Sequence, residues 1–244
     1  MQQPIDLITT NLFLFLNPDI VIPGYQSEVQ SNKGHRYNED AVKKYQLMFA
    51  AIRWLLKKLS KYPKFFTNFY PPDETGIPQY EALQHHVHAY LEDSETLKNK
   101  LTNLVGTLKN DLQQVMTEKK EMKAALDFIK SEIYRVFEQI SSIRGDHRHK
   151  GFIFADRYVT DAEIAKTLLS TPELKKLLTE KGLHGLQEKE KMSLAEGKKF
   201  WKDTAEKNFE QISGLTNEII ERIDEFIYVL LDIKPLKIED PNHN

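Results

Sequence analysis

The chain has 244 residues, of which 40% are hydrophobic and 29% charged, a composition that suits one large domain with a buried core. Its 34 basic and 36 acidic side chains give a net charge of −2, which argues against a protein that coats nucleic acid through bulk charge. Because it contains no cysteine, disulfide bonds, thiolate zinc sites and thiol nucleophiles are excluded.

Residues 1–37 have the least helical pattern of the chain. Their apolar run, LFLFLNPDIVIPG, is rich in residues that favour extended structure and is interrupted by Pro18 and Pro23. We predict an extended arm that packs on the body of the protein. The run lacks a basic region before it and a small-residue cleavage site after it, and no segment approaches the ~18 uninterrupted apolar residues of a membrane span. We therefore expect neither a signal peptide nor a membrane anchor, and a cytoplasmic location.

Four longer segments show helical periodicity, at residues 38–62, 79–115, 117–143 and from about 193 to 234. Asn38 is a suitable helix start, and Pro63 and Pro235 end the first and last segments. In the last three segments apolar residues recur every three or four positions, the spacing of helices that pack on one another. The sequence therefore predicts an all-α, antiparallel bundle of about four long helices. We expect buried side chains at Leu101, Ile133, Ile219, Phe226, Trp54 and Trp201.

Two short helices are predicted before the last long one. TDAEIAKTLLS begins at a Thr or Asp cap, and TPELKKLLTEKG combines Thr171 as cap, Pro172 at the first helical position and Gly182 as stop. The following LHGLQEKEKM is interpreted as a mobile connector. We expect an arm at 1–37, one bundle domain at 38–235 and a loose tail at 236–244.

The third long segment ends in a dense group of ionisable residues, SSIRGDHRHKG, here called the basic segment (residues 141–151). Arg144 lies four residues after Ile140 and seven after Phe137, so it borders the apolar stripe that faces neighbouring helices. We expect the helix to break at Gly145 or at Gly151.

An arginine and a histidine together suit the cleavage of a phosphodiester. Histidine exchanges a proton near neutral pH, and a guanidinium binds two phosphate oxygens while keeping its charge. Arg144 and His149 could thus let an RNA 2′-hydroxyl attack the adjacent phosphate, a reaction that requires no metal ion or cofactor. His147 and Asp146 are candidate helpers that orient His149. Arg148 and Lys150 are candidate phosphate-binding residues.

Arg144 and His149 are separated by four residues and so fit the R-x4–6-H motif. In this respect the chain resembles the HEPN superfamily of all-helical domains. Family members usually carry a polar residue directly after the arginine, where this chain has Gly145 followed by Asp146. The resemblance implies a homodimer whose two-fold axis brings two Arg–His sets together. It also implies a metal-independent endoribonuclease of a bacterial toxin or anti-phage type with an antitoxin partner, or an inactive member that serves as a binding module.

Two other interpretations of the basic segment stay open. The helix dipole favours basic residues at a helix C-terminus, and this alone would account for Arg144 and Arg148. In that case the protein would be a non-catalytic helical interaction module. Alternatively, the pairs HHVH and HRH could supply a metal-dependent hydrolase with nitrogen ligands, which would be His85, His88, His147 and His149. The glycine-rich phosphate-binding motifs and the G-x-S-x-G nucleophile motif do not occur in the sequence.

Overall fold

The computed structural model describes residues 4–16, 39–115, 119–149 and 156–231, and these residues form helices and short connections without any strand. The helices, in chain order, are α1 Pro4–Leu16, α2 Glu39–Leu59, α3 Tyr62–Asn68, α4 Gln79–Val115, α5 Lys119–His149, α6 Arg157–Ser170, α7 Pro172–Leu177 and α8 Glu180–Leu231. A 3-10 turn at Asp73–Thr75 precedes α4. The predicted all-α class is confirmed. No helix among the described residues is both long enough and apolar enough to cross a membrane.

The chain divides into two compact units, and α2, α4, α5 and α8 each contribute to both. Unit 1 comprises Met1–Leu55, Leu97–Val136 and Ile212–Asn244, and unit 2 comprises Leu56–Thr96 and Phe137–Gln211. The predicted domain boundaries at 37 and 235, and the predicted tail at 236–244, lie outside the described residues.

Unit 1 is a packing of amphipathic helices held together by apolar side chains and a few ion pairs. Tyr45 of α2 is fully buried, and its hydroxyl donates to Asp111 of α4 over 2.8 Å. Burial, reinforced by that carboxylate, raises the pKa of the Tyr45 phenol. Lys109 near the end of α4 pairs with Asp127 near the start of α5, as expected where two antiparallel helices follow one another.

Unit 2 has an aromatic core in which the ring of Phe66 from α3 contacts those of Tyr90 from α4 and Trp201 from α8. Asn208 of α8 donates to the Tyr90 hydroxyl over 2.9 Å in this buried setting. On its other side α4 contacts α5, where Ser141 donates to Glu95 over 2.9 Å. These contacts place α4 between α5 and α8 in this unit.

The prediction of an extended N-terminal arm is wrong for Pro4–Leu16, which form α1. Ile5, Ile8 and Leu12 are buried and are spaced by three and four residues, so they line one face of a helix. Burial of that face outweighs the β preference of the individual residues, because tertiary packing routinely overrides local propensity. The rest of the arm lies outside the described residues.

The predicted connector before the last helix is also wrong, because α8 begins at Glu180 and runs without a break through Gly182 to Leu231. Thr179 starts this helix: its hydroxyl accepts a hydrogen bond from the Gly182 amide over 3.2 Å, and its carbonyl accepts one from the Leu183 amide over 2.9 Å. The residues that follow are mostly Glu, Lys, Gln, Leu and Met, which are strong helix formers. The isolated glycines Gly182 and Gly185 do not end the helix.

The burial predictions are confirmed for Leu101, Ile133, Ile219 and Trp201, which are at most 2% exposed. They are wrong for Phe226, which is only half-buried and whose neighbour Ile227 is fully buried instead. Trp54 is likewise not a core residue, since 60% of it is exposed. Both errors are errors of helical phase: an apolar stripe drifts around a long helix, and a side chain adjacent to it faces solvent.

Candidate functional site

The helix α5 continues into the basic segment past the first of the two positions where we expected it to break. It passes through Gly145 and continues to His149, so the predicted break at Gly145 is wrong, and Gly151 lies outside the described residues. Contacts with α4 hold this last part of α5, because Ser141 bonds to Glu95 and Arg144 bonds to Glu92. A glycine with packed turns before it does not need to interrupt a helix.

Arg144 forms a two-pronged ion pair with Glu92 of α4. Its Nε donates to Oε1 and its Nη2 donates to Oε2, each over 2.9 Å. The Arg144 side chain is 18% exposed and that of Glu92 is 52% exposed. The hydrogen bonds to Glu92 raise the pKa of the arginine, with smaller contributions from the charges of Glu92 and Glu95. The guanidinium is therefore a permanent positive charge with a fixed orientation at the edge of unit 2.

The other predicted site residues are described only in part. The side chains of Asp146, His147, Arg148 and His149 lie outside the described residues, and so does Lys150 entirely. The backbone, however, is helical through His149. In a regular helix, positions five residues apart are rotated by about 140°, whereas positions three apart lie on one face. Within one chain, the position of His149 is therefore on a different side of α5 from Arg144, and the position of His147 is on the same side.

An open groove lies in unit 2 between α4 and α6, and one of its lining residues, His88, precedes Glu92 by four positions. Its volume is about 400 Å³, and it is here called the α4–α6 groove, lined by Tyr80, Glu81, Gln84, His85, His88 and Glu163. Partial burial lowers the pKa of the His88 imidazole, helped by the nearby His85 and opposed by the negative charge of Glu92. Burial, together with the charges of Glu81 and Glu163, raises the pKa of the Tyr80 phenol.

The described residues include no group of three or more histidine or acidic side chains arranged to hold a metal ion. His85 and His88 line the same groove, but the metal set suggested by the sequence also needs His147 and His149, whose side chains are not described. That alternative stays a prediction.

Sequence reasoning identified Arg144 but missed its partner. Glu92 is 52 positions away in the chain, and only the register between α4 and α5 brings the two together. Comparison of the chain with protein-family models, with curated proteins and with solved structures finds no match.

Proposed function

We propose that the protein is a metal-independent endoribonuclease whose phosphate-binding group is Arg144. The observation that supports this proposal is the pair between Arg144 and Glu92, in which both oxygens of a carboxylate contact two nitrogens of one guanidinium. Two phosphate oxygens fit the same guanidinium edge as a carboxylate does. Glu92 is half exposed, so an incoming phosphate can displace it and take its place. Arg144 would then stabilise the charge that develops on the phosphorus in the transition state.

The remaining chemistry is assigned to the basic segment. Cleavage by an internal nucleophile needs a base for the 2′-hydroxyl, an acid for the leaving oxygen and positive charge on the phosphate. His149 is the proposed acid or base, with His147 and Asp146 orienting it. Arg148 and Lys150 add positive charge beside the phosphate, which a chain with a net charge of −2 must supply locally.

A homodimer completes this arrangement. In one continuous helix the positions of Arg144 and His149 lie on different sides of α5. A two-fold axis near the basic segment would bring Arg144 of one protomer to His149 of its partner, because such a contact uses the same patch on both chains. The resemblance to the HEPN superfamily points to the same assembly. It also points to a bacterial toxin or anti-phage defence setting, with an antitoxin as a possible further partner.

The direct test compares the wild type with Arg144→Ala on a labelled single-stranded RNA. We expect Arg144→Ala to lower the cleavage rate by about 10²-fold or more, the usual effect of removing one charge-stabilising group. Arg135→Ala is the matched control, since Arg135 is another arginine of α5 and is paired with Glu132, but is 67% exposed and lies outside the basic segment. EDTA should leave the activity unchanged, and the products should end in 2′,3′-cyclic phosphate. Equal loss in both arginine variants would refute the assignment.

A second test addresses the shared site. Under this proposal, neither the Arg144→Ala chain nor the His149→Ala chain is active alone. Mixing them should restore part of the activity, because each heterodimer keeps one intact pair of Arg144 and His149. Light scattering should show a dimer. A strictly monomeric protein that still cleaves RNA would exclude the shared site.

The geometry also favours a second candidate, a non-catalytic helical interaction module. In that case the pair of Arg144 and Glu92 only holds α5 against α4. Arg144→Ala would then change stability slightly, and no RNA would be cleaved by the wild type under any of the conditions above.

A further inference from the structure

His88 and Arg144 flank the same carboxylate, although they belong to different helices. Glu92 accepts two hydrogen bonds from Arg144, and its negative charge also acts on the imidazole of His88. His88 precedes Glu92 by four residues, and side chains with this spacing are neighbours on a helix, with Cβ atoms about 5–6 Å apart. A phosphate held by Arg144 in place of Glu92 would therefore lie next to His88.

His88 also lines the α4–α6 groove and thereby connects this groove with the pair of Arg144 and Glu92. Glu81 and Glu163 line the groove and influence Tyr80. Arg144 does not line it, but binds the carboxylate four positions after His88. Carboxylates repel a phosphate but accept hydrogen bonds from the N–H groups of a nucleobase. The volume of about 400 Å³ is within the range of small-ligand sites and leaves room for one nucleoside. A nucleotide would therefore bind with its phosphate at Arg144 and its base in the groove.

We propose that the α4–α6 groove holds the nucleotide that carries the attacking 2′-hydroxyl, and that His88 takes the proton of this hydroxyl; this inference rests on the ribonuclease activity proposed above. The hydroxyl oxygen forms a bond to phosphorus with the electron pair of its O–H bond, while the proton passes to the imidazole. The bond between phosphorus and the 5′-oxygen breaks, and that oxygen takes a proton from the acid, the role left to His149. The products are a 2′,3′-cyclic phosphate and a free 5′-hydroxyl.

The charges around His88 suit both stages of this step. Burial favours the neutral imidazole before the reaction, which is the form that accepts a proton. Once a phosphate has displaced Glu92 from Arg144, the freed carboxylate stabilises the imidazolium that forms. The other titratable groups that line the groove with His88 are Tyr80, Glu81 and His85 on the same helix and Glu163 on α6.

The test of the proton transfer is His88→Gln, with His184→Gln as the control because His184 is an exposed histidine of α8 that does not line the groove. The substrate is a labelled single-stranded RNA of mixed sequence. We expect His88→Gln to lower kcat by about 10²-fold, the usual contribution of a general base, and to remove the rise of rate with pH on the acidic side. Affinity for the same strand made with 2′-deoxyribose, measured by fluorescence anisotropy, should change little. Equal cleavage by the His88 and His184 variants would overturn the role of His88.

The groove itself is tested with Gln84→Trp, which fills it with a large ring. We expect this variant to bind the 2′-deoxy strand at least tenfold more weakly, with an unchanged circular dichroism spectrum and melting temperature. Unchanged affinity would overturn the groove as the nucleotide site. The two proposals fail in different ways: no cleavage by the wild type overturns both, whereas wild-type cleavage that needs Arg144 but not His88 overturns only the present one.

Discussion

The buried carboxylate of Asp156 offers a quantitative test of how α6 is fixed in unit 2. Asp156 is 7% exposed and stands at the N-terminal cap of α6. Its Oδ1 accepts a hydrogen bond from the Val159 amide over 2.9 Å, and its Oδ2 accepts one from the Trp201 indole of α8 over 2.7 Å. Because α6 supplies Glu163 to the groove, this side chain also holds one wall of the proposed site.

Asp156→Ala removes two contributions that can be estimated separately. Loss of a helix N-cap costs about 1 kcal/mol. A buried indole N–H left without an acceptor costs a further 1–3 kcal/mol or so. We therefore expect the free energy of unfolding to fall by about 2–4 kcal/mol. For a chain of this size that corresponds to a melting temperature about 4–16 °C lower. Asp156→Asn keeps an acceptor at the same place, so it should cost less than Asp156→Ala.

The assay is urea unfolding, followed by circular dichroism and by tryptophan fluorescence. A Trp54→Phe background leaves Trp201 as the one tryptophan of the sequence. This change should alter the free energy of unfolding little, because Trp54 is 60% exposed. Asp203→Ala is the control, since Asp203 is an exposed aspartate of α8. A double-mutant cycle with Trp201→Phe isolates the indole–carboxylate bond. If Asp156→Ala stays within about 0.5 kcal/mol of the wild type, or if the cycle shows no coupling, the reasoning is refuted.

Two further predictions concern α8. A Cβ added at Gly197 would lie 2.8 Å from the Cβ of Tyr158, so Gly197→Ala should destabilise the protein by about 1–3 kcal/mol through overpacking. Gly214→Ala, in the same helix but with no atom within 4 Å, should instead stabilise it by up to about 1 kcal/mol, and urea midpoints that failed to separate the two variants would contradict the packing argument. Burial raises the pKa of Asp224 above its usual value of about 3.9, so folding favours the protonated carboxyl. The stability that this protonated form contributes is therefore lost as the pH rises through the folded-state pKa. Asp224→Asn should therefore raise the melting temperature at pH 7 and lose that advantage near pH 3, unlike Glu210→Gln, which removes the same charge from an exposed position.

The long helices could be predicted because their apolar spacing is a local property of the chain. The periodic segments 79–115 and 117–143 correspond to α4 Gln79–Val115 and to most of α5 Lys119–His149. The N-terminal helix α1 was missed because local signals compete. The N-terminal run combines β-favouring residues with a helical spacing of Ile5, Ile8 and Leu12, and only packing decides between them.

The candidate site was less predictable, because it depends on contacts between distant parts of the chain. Arg144 was identified from its position at the edge of an apolar stripe, but no local pattern could show that Glu92 binds it. His88 was interpreted only as a possible metal ligand, since its relation to Arg144 arises from the register of α4 against α5. Helix geometry also argues against a site in which Arg144 and His149 of one chain act together, because a continuous α5 places their positions on different sides of the helix.

Glu92 and Asp156 are both hydrogen-bonded carboxylates of unit 2, but they differ in exposure. Asp156 is buried between two donors, so its removal leaves one of them without a partner and costs stability. Glu92 is half exposed, and an ion pair of that kind contributes about 0–1 kcal/mol to folding. Its separation from Arg144 therefore costs little, provided that another anion takes its place. A phosphate brings more negative charge and the same two-oxygen geometry, so it can compete with Glu92 for the guanidinium. Under the proposed function, a pair that contributes little to folding can exchange its carboxylate for the phosphate of a substrate.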